Sequence, residues 1–159
     1  MNKISKHITF QEAIRSNTAL RHGIPNIPDK QELDAMINIA EKVFEPLRAS
    51  KGVPIRVSSF YRSRLLSQFT SGSSLTSQHI KGEAIDLQAM NNSWTNREIF
   101  EWILDNIEFD QLIWEYGTND EPAWVHVSMR NDGTENRNQV LIKKFKQPYK
   151  PYSHVKKKA

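Results

Sequence analysis

The sequence predicts an α+β domain in which a mostly antiparallel sheet packs against helices. Three observations carry this reading. Apolar residues recur at helical steps in the first third of the chain, β-type runs fill the later part, and one capped amphipathic helix interrupts those runs.

"HITFQEAIRS" (7–16) reads as a short helix, because Thr9 can cap it and Glu12 completes a capping box. "LRHGIPNIPDK" then breaks the pattern with a glycine and two prolines. Asp29 with Glu32 forms a similar cap and opens the strongest helix, "KQELDAMINIAEKVFEPLRAS". Its stripe is Leu33, Met36, Ile37, Ala40, Val43, Phe44 and Leu47, and Pro46 is expected to kink or end it. "VPIRVSSF" (53–60) is a strand, "RSRLLSQF" a short helix, and "TSGSSLTSQ" (70–78) a polar loop of the sort found at sites. "EAIDLQAM" (83–90) returns to strand. Thr95 and Glu98 cap "NREIFEWILDNI", which buries Ile99, Phe100, Ile103 and Ile107. Strands follow at 109–116, 123–129 and 139–145, with turns at "GTND" and "RNDGTENRN".

The 159 residues suffice for one buried core, and a 38% hydrophobic, 25% charged composition is that of a globular protein. Cysteine is absent, so thiolate chemistry is excluded and any metal must be held by His, Asp or Glu. The N-terminus carries no apolar run of signal-peptide length, and nothing approaches the ~20 residues of a membrane span. The expectation is a chain made in soluble form and delivered to any target outside the membrane by other means. The net charge is +4, and residues 143–159 hold seven lysines and no acid. The organisation expected is one domain over 1–145 and a basic tail over 146–159. That tail is either simply solvated or attracts a polyanion such as an anionic wall polymer or membrane.

"SQHIKGEAIDL" sets His79 and Asp86 seven positions apart around Gly82, and "AWVHVSM" places His126 mid-strand on the face that carries Trp124. Alternation puts Ala84, Asp86 and Gln88 on one face of their strand. An aspartate between Ile85 and Leu87 is costly to bury without a positive partner. Two histidines and one aspartate match the three protein ligands of catalytic zinc, which leaves a position for water. Zinc lowers the pKa of bound water to near ~7, and a carboxylate can then take its proton. Glu115, ending the run "QLIW", is the first candidate base and Glu121 the second. Arg62 in "SSFYRS" is placed to stabilise an oxyanion.

The stretch "SQHIKGEAIDL" resembles the S-x-H-x-x-G-x-A-x-D signature of the D-Ala-D-Ala carboxypeptidase family of zinc peptidases, through Ser77, His79, Gly82, Ala84 and Asp86. That family also holds D-Ala-D-Ala dipeptidases and phage L-alanyl-D-glutamate endopeptidases. "WVHVS" is similar to the third-ligand strand of its small single-domain branch, and "SSFYRS" to its arginine motif. The likeness covers roughly residues 9–130 and implies a hedgehog/D-Ala-D-Ala-peptidase-like fold. It implies His79, Asp86 and His126 as zinc ligands, Glu115 as base, Arg62 at the carbonyl or oxyanion, and Ser77 beside the substrate. Tyr61 and Trp124 are further candidates for substrate contact. Many members place the base in E-x-x-H, where this chain has Ala123 three residues before His126, so Glu115 and Glu121 both stay open.

The function expected is a zinc metallopeptidase acting on a peptidoglycan stem peptide, as D-Ala-D-Ala carboxypeptidase or L-Ala-D-Glu endopeptidase. A monomeric phage-type lytic enzyme fits the short chain. The rival readings are a non-catalytic zinc-binding interaction domain of the same fold and a nucleic-acid binder. The latter rests on charge alone, with no recognition motif, so no specific nucleic acid is expected.

Overall fold

The computed structural model describes residues 1–70 and 74–153. Part of the 70–78 loop and of the basic tail therefore lies outside the described residues.

Helices come first. Helix α1 spans Phe10–Ile14, α2 Asn17–His22, α3 Lys30–Ile39 and α4 Glu45–Lys51. The capping boxes of Thr9 with Glu12 and of Asp29 with Glu32 both form. Pro46 neither ends nor breaks the long helix. Without an N–H it cannot bond the carbonyl four residues back, and a π-turn over Ala40–Phe44 joins α3 to α4 at this point. The helix ends instead at Gly52, in the left-handed conformation at φ 67°. Leu33 and Ile37 are only partly buried, while Ala35 and Ile39 join the core. Helix α2, not expected from the sequence, is capped by Ser16, runs into the first three residues of the stretch expected to be broken, and is closed by Gly23.

Strands β1 (Ile55–Ser59), β2 (Ala84–Ala89), β3 (Gln111–Glu115), β4 (Trp124–Ser128), β5 (Gln139–Lys143) and β6 (Lys150–Pro151) form one sheet ordered β1-β2-β4-β3-β5-β6. All neighbours are antiparallel except β3 and β5. Helix α5 (Arg64–Phe69) follows β1, and α6 (Asn96–Asn106) follows β2 with the Thr95–Glu98 capping box in place.

The two-residue period of the strands divides the sheet's faces. Ile85, Leu87, Leu112, Trp114, Val125 and Val127 are fully buried and share the core with α3, α4 and α6. Their alternates Asp86, Ile113, Glu115, Trp124, His126 and Leu141 line a cleft of about 640 Å³ on the other face.

The stretch expected to be a basic tail is in part built into the fold. Lys150 and Pro151 pair with Ile142 and Leu141, and the Tyr152 N–H donates to the Val140 carbonyl at 2.9 Å. The Tyr152 ring lies 4.9 Å from Phe100 and 5.8 Å from Trp114, nearly parallel to the latter. Two aromatic surfaces give that ring an apolar seat a solvated tail would not have.

Candidate metal centre

Antiparallel pairing sets Asp86 directly opposite His126, so their side chains share one face of the sheet. His79 arrives from a different element, a 3₁₀ turn over Gln78–Lys81 between the polar loop and β2. The Ser77 hydroxyl caps that turn, accepting from the His79 N–H at 3.3 Å. Gly82 closes it at φ 72°, and a Cβ there would lie 2.3 Å from the Glu32 carbonyl oxygen, so α3 packs against the bare glycine.

The loop after β1 fixes the imidazole. The Arg62 N–H donates to the His79 carbonyl at 3.2 Å, and His79 Nδ1 lies 2.6 Å from the Phe60 carbonyl oxygen. A carbonyl only accepts, so Nδ1 carries a hydrogen and Nε2 is the nitrogen turned inward. That Nε2 lies 3.3 Å from Asp86 Oδ1, and His126 Nδ1 lies 3.0 Å from the same oxygen. The three side chains are only 5%, 11% and 11% exposed, and their ligand atoms lie within 4.8 Å of one another.

Two imidazole nitrogens and a carboxylate oxygen thus converge in a nearly dry space. The His79–Asp86 contact is favourable when a cation, a proton on Nε2 or a metal ion held by both atoms, lies between the imidazole nitrogen and the carboxylate oxygen. The donor set fits zinc, which takes histidine nitrogen and aspartate oxygen. The Phe60 carbonyl is the kind of second partner that orients a metal-binding histidine. Burial alone would raise the Asp86 pKa, but His79 and His126 overcome it and hold the carboxyl well below the usual carboxylate range.

Glu115 stands at the end of β3, lines the same cleft and is 7% exposed. Burial pushes its carboxyl up to about 7; His126 and Lys143 oppose that shift and Asp86 adds to it. A base poised near neutrality is suited to proton transfer. Glu121 is elsewhere: it is exposed, and its carboxylate accepts the Asn96 N–H at 2.8 Å at the start of α6. Arg62 also lines the cleft, and its Nη2 donates to Ser59 Oγ at 3.4 Å. Burial disfavours its charge, and Asp86 offsets part of that penalty.

Of the residues expected beside a substrate, Trp124 and Ser77 line the cleft. Tyr61 does not. It is buried on the α3 side, where its hydroxyl donates to Glu32 Oε2 at 2.8 Å and its N–H to the Ala13 carbonyl at 3.0 Å. The structure adds Tyr116, Tyr149 and Arg137 to the cleft wall. Tyr116 has φ 55°, packs at 5.2 Å against Trp124, and leads into Gly117 at the β3–β4 turn. The signal for Tyr149 was the aromatic pair in "PYKPY", which a purely solvated tail has no use for.

Comparison with curated protein sequences gives no match. The profile of the Peptidase M15 family matches residues 6–128. Peptidases of that family are zinc-dependent, and the His-Asp-His set is compatible with zinc binding. The match spans most of the chain and takes in His79, Asp86, His126, Glu115 and Arg62 together, so this protein belongs to the Peptidase M15 family of metallopeptidases.

Proposed function

We propose that this protein is a peptidoglycan hydrolase that cleaves an amide bond of the stem peptide, at D-Ala–D-Ala or at L-Ala–D-Glu. The observation that carries the reading is the convergence of His79, Asp86 and His126 in one cleft with a buried carboxylate pushed up to about 7. His79 Nε2, Asp86 Oδ1 and His126 Nδ1 are the atoms that would hold zinc. A bound zinc ion supplies a Lewis acid that acidifies water and polarises the substrate carbonyl.

The chain's own residues do the rest. Glu115 accepts a proton from the attacking water as its oxygen bonds the carbonyl carbon, then returns that proton to the amine as the C–N bond breaks. Arg62 holds the carbonyl oxygen as negative charge gathers there. Trp124 and Tyr116 provide an aromatic wall for the peptide, and the Ser77 cap keeps His79 in place. The lysine-rich C-terminal stretch favours an anionic wall or membrane, which suits a monomeric, phage-type lytic enzyme working on the cell wall.

The test is metal content by elemental analysis of wild type and His126→Ala, beside mass spectrometry of digested peptidoglycan. The expected result is about one zinc per chain, lost in the variant, with released D-Ala or a new amino group on D-Glu. Zinc without any cleavage would replace this reading with that of a zinc-binding interaction domain, and no zinc would end both.

A further inference from the structure

Beyond the segment matched by the family profile, the loop leading into β5 closes one side of the cleft around a buried ion cluster. Asp110 is fully buried just before β3. It accepts the Arg137 backbone N–H at 2.9 Å, Arg137 Nε at 3.0 Å and Arg137 Nη2 at 2.6 Å. Arg130 Nε forms an ion pair with the same carboxylate at 2.9 Å. Two guanidiniums on one carboxylate leave a net positive charge. Arg130 spends its Nη1 on Thr134 Oγ1 at 3.1 Å and does not line the cleft.

Arg137 is placed differently. Its side chain is 45% exposed and lines the cleft together with Arg62, and its Nη1 has no partner among the described residues. A buried carboxylate grips one edge of the planar fork, so the guanidinium is held before anything binds. Its outer edge is left for an anion. Holding the side chain in advance removes much of the ordering cost of recognition.

The substrate chemistry supplies the anion. In D-Ala–D-Ala the scissile nitrogen belongs to a D-residue with a free α-carboxylate. In L-Ala–D-Glu the peptide continues through the side chain, so the nitrogen again sits on a carbon bearing a free carboxylate. Both leaving groups, free D-Ala in one case and a D-Glu-headed peptide in the other, therefore share one feature, an α-carboxylate beside the departing amine.

We propose that Arg137, positioned by Asp110, binds that leaving-group carboxylate and makes it a requirement for substrates. The inference rests on the peptidase reading above and adds a specificity-determining residue to it.

The test uses zinc-loaded full-length protein and two stem-peptide fragments, one ending in D-Ala–D-Ala and one containing L-Ala–D-Glu. Each is prepared with the carboxylate free and as its carboxamide. For the fragment that is cleaved, wild type is expected to prefer the carboxylate by about tenfold in kcat/KM, chiefly through KM. In Arg137→Gln that ratio falls toward one, and Arg137→Lys keeps part of it. Arg130→Gln, which removes the other partner of Asp110 outside the cleft, leaves the ratio unchanged. Calorimetric binding of the same pairs runs in parallel, so that the inference is decided even without turnover. A binding preference that disappears in Arg137→Gln, with no cleavage, would sustain the carboxylate site while the peptidase reading fails. No preference in wild type, or an equal loss of it in Arg130→Gln, would overturn the proposal. If Arg137→Gln melts before it can be assayed, an unaltered preference in Arg137→Lys overturns it as well.

Discussion

Glu115 sets chemistry against stability. Its ordinary pKa is 4.5 and the fold raises it to about 7. Between those values the folded chain keeps a proton that the unfolded chain has released. Stability of the metal-free protein therefore falls as pH rises through that window. Above it, the buried anion costs on the order of 3 kcal/mol. Glu115→Gln removes the charge. In chelator the variant is expected to melt above wild type at pH 8 and level with it near pH 4.5, as thermal denaturation across pH would show. The same change should lower kcat on a stem peptide by about 10²–10⁴ while zinc content stays that of wild type. Equal turnover in the two proteins would remove Glu115 from its role. At this scale the candidate ligands His79, Asp86 and His126 were legible because their side chains suit a metal and their order resembles a family signature, whereas the seven-residue spacing of His79 and Asp86 is weak by itself. Tyr61 was not, since nothing in "SSFYRS" says which of two adjacent side chains turns toward Glu32.

Local rules fixed the elements well where a cap announced them. All three capping boxes formed, because each satisfies donors of its own helix without help from the rest of the molecule. Pro46 shows the limit of such rules: its penalty is local, but the packing of Val43, Phe44 and Leu47 into the core carries the helix past it through a π-turn. The turn at Gly82 is the element on which the centre depends, since it lies between His79 and Asp86. An added Cβ would meet the Glu32 carbonyl at 2.3 Å and Met36 Cγ at 2.9 Å, in a left-handed conformation. Gly82→Ala is expected to destabilise by about 3 kcal/mol and to weaken zinc binding, read by thermal melting and a zinc titration. Gly133→Ala, where nothing lies within 4 Å of a Cβ, should cost only about 1 kcal/mol and leave zinc affinity alone. Comparable effects at the two glycines would mean that the close approach of α3 is unimportant.

Across the whole molecule, Asp110 ties the loop before β5 to the sheet. Burial would raise its pKa, but the hydrogen bonds and charge of Arg137, with Arg130, hold it below the ordinary carboxylate value. For a depressed carboxyl the stabilisation is complete above its unfolded pKa of about 4 and is lost as pH falls through the folded value. Wild type should therefore lose stability in acid more steeply than Asp110→Asn. At pH 7 the variant should be weaker by about 2 kcal/mol, a figure reduced because both guanidiniums reach solvent. Chemical denaturation at pH 7 and pH 3 would decide it, and parallel losses in the two proteins would count against the linkage.

The sequence by itself determined the α+β class, the three helices that open with a capping box, five of the six strands and the residues able to hold a metal. Those depend on local hydrogen bonding, on the two- and 3.6-residue periods, and on side-chain chemistry. Tertiary structure alone decided that Asp86 faces His126 across β2 and β4, that Glu115 and not Glu121 reaches the cleft, and that Tyr149 and Arg137 complete its wall. Each of these is a contact between residues distant in the chain. The alternation of a strand fixes which face a side chain takes, but which distant strand lies opposite it, and which rings are buried, is decided only when the segments pack.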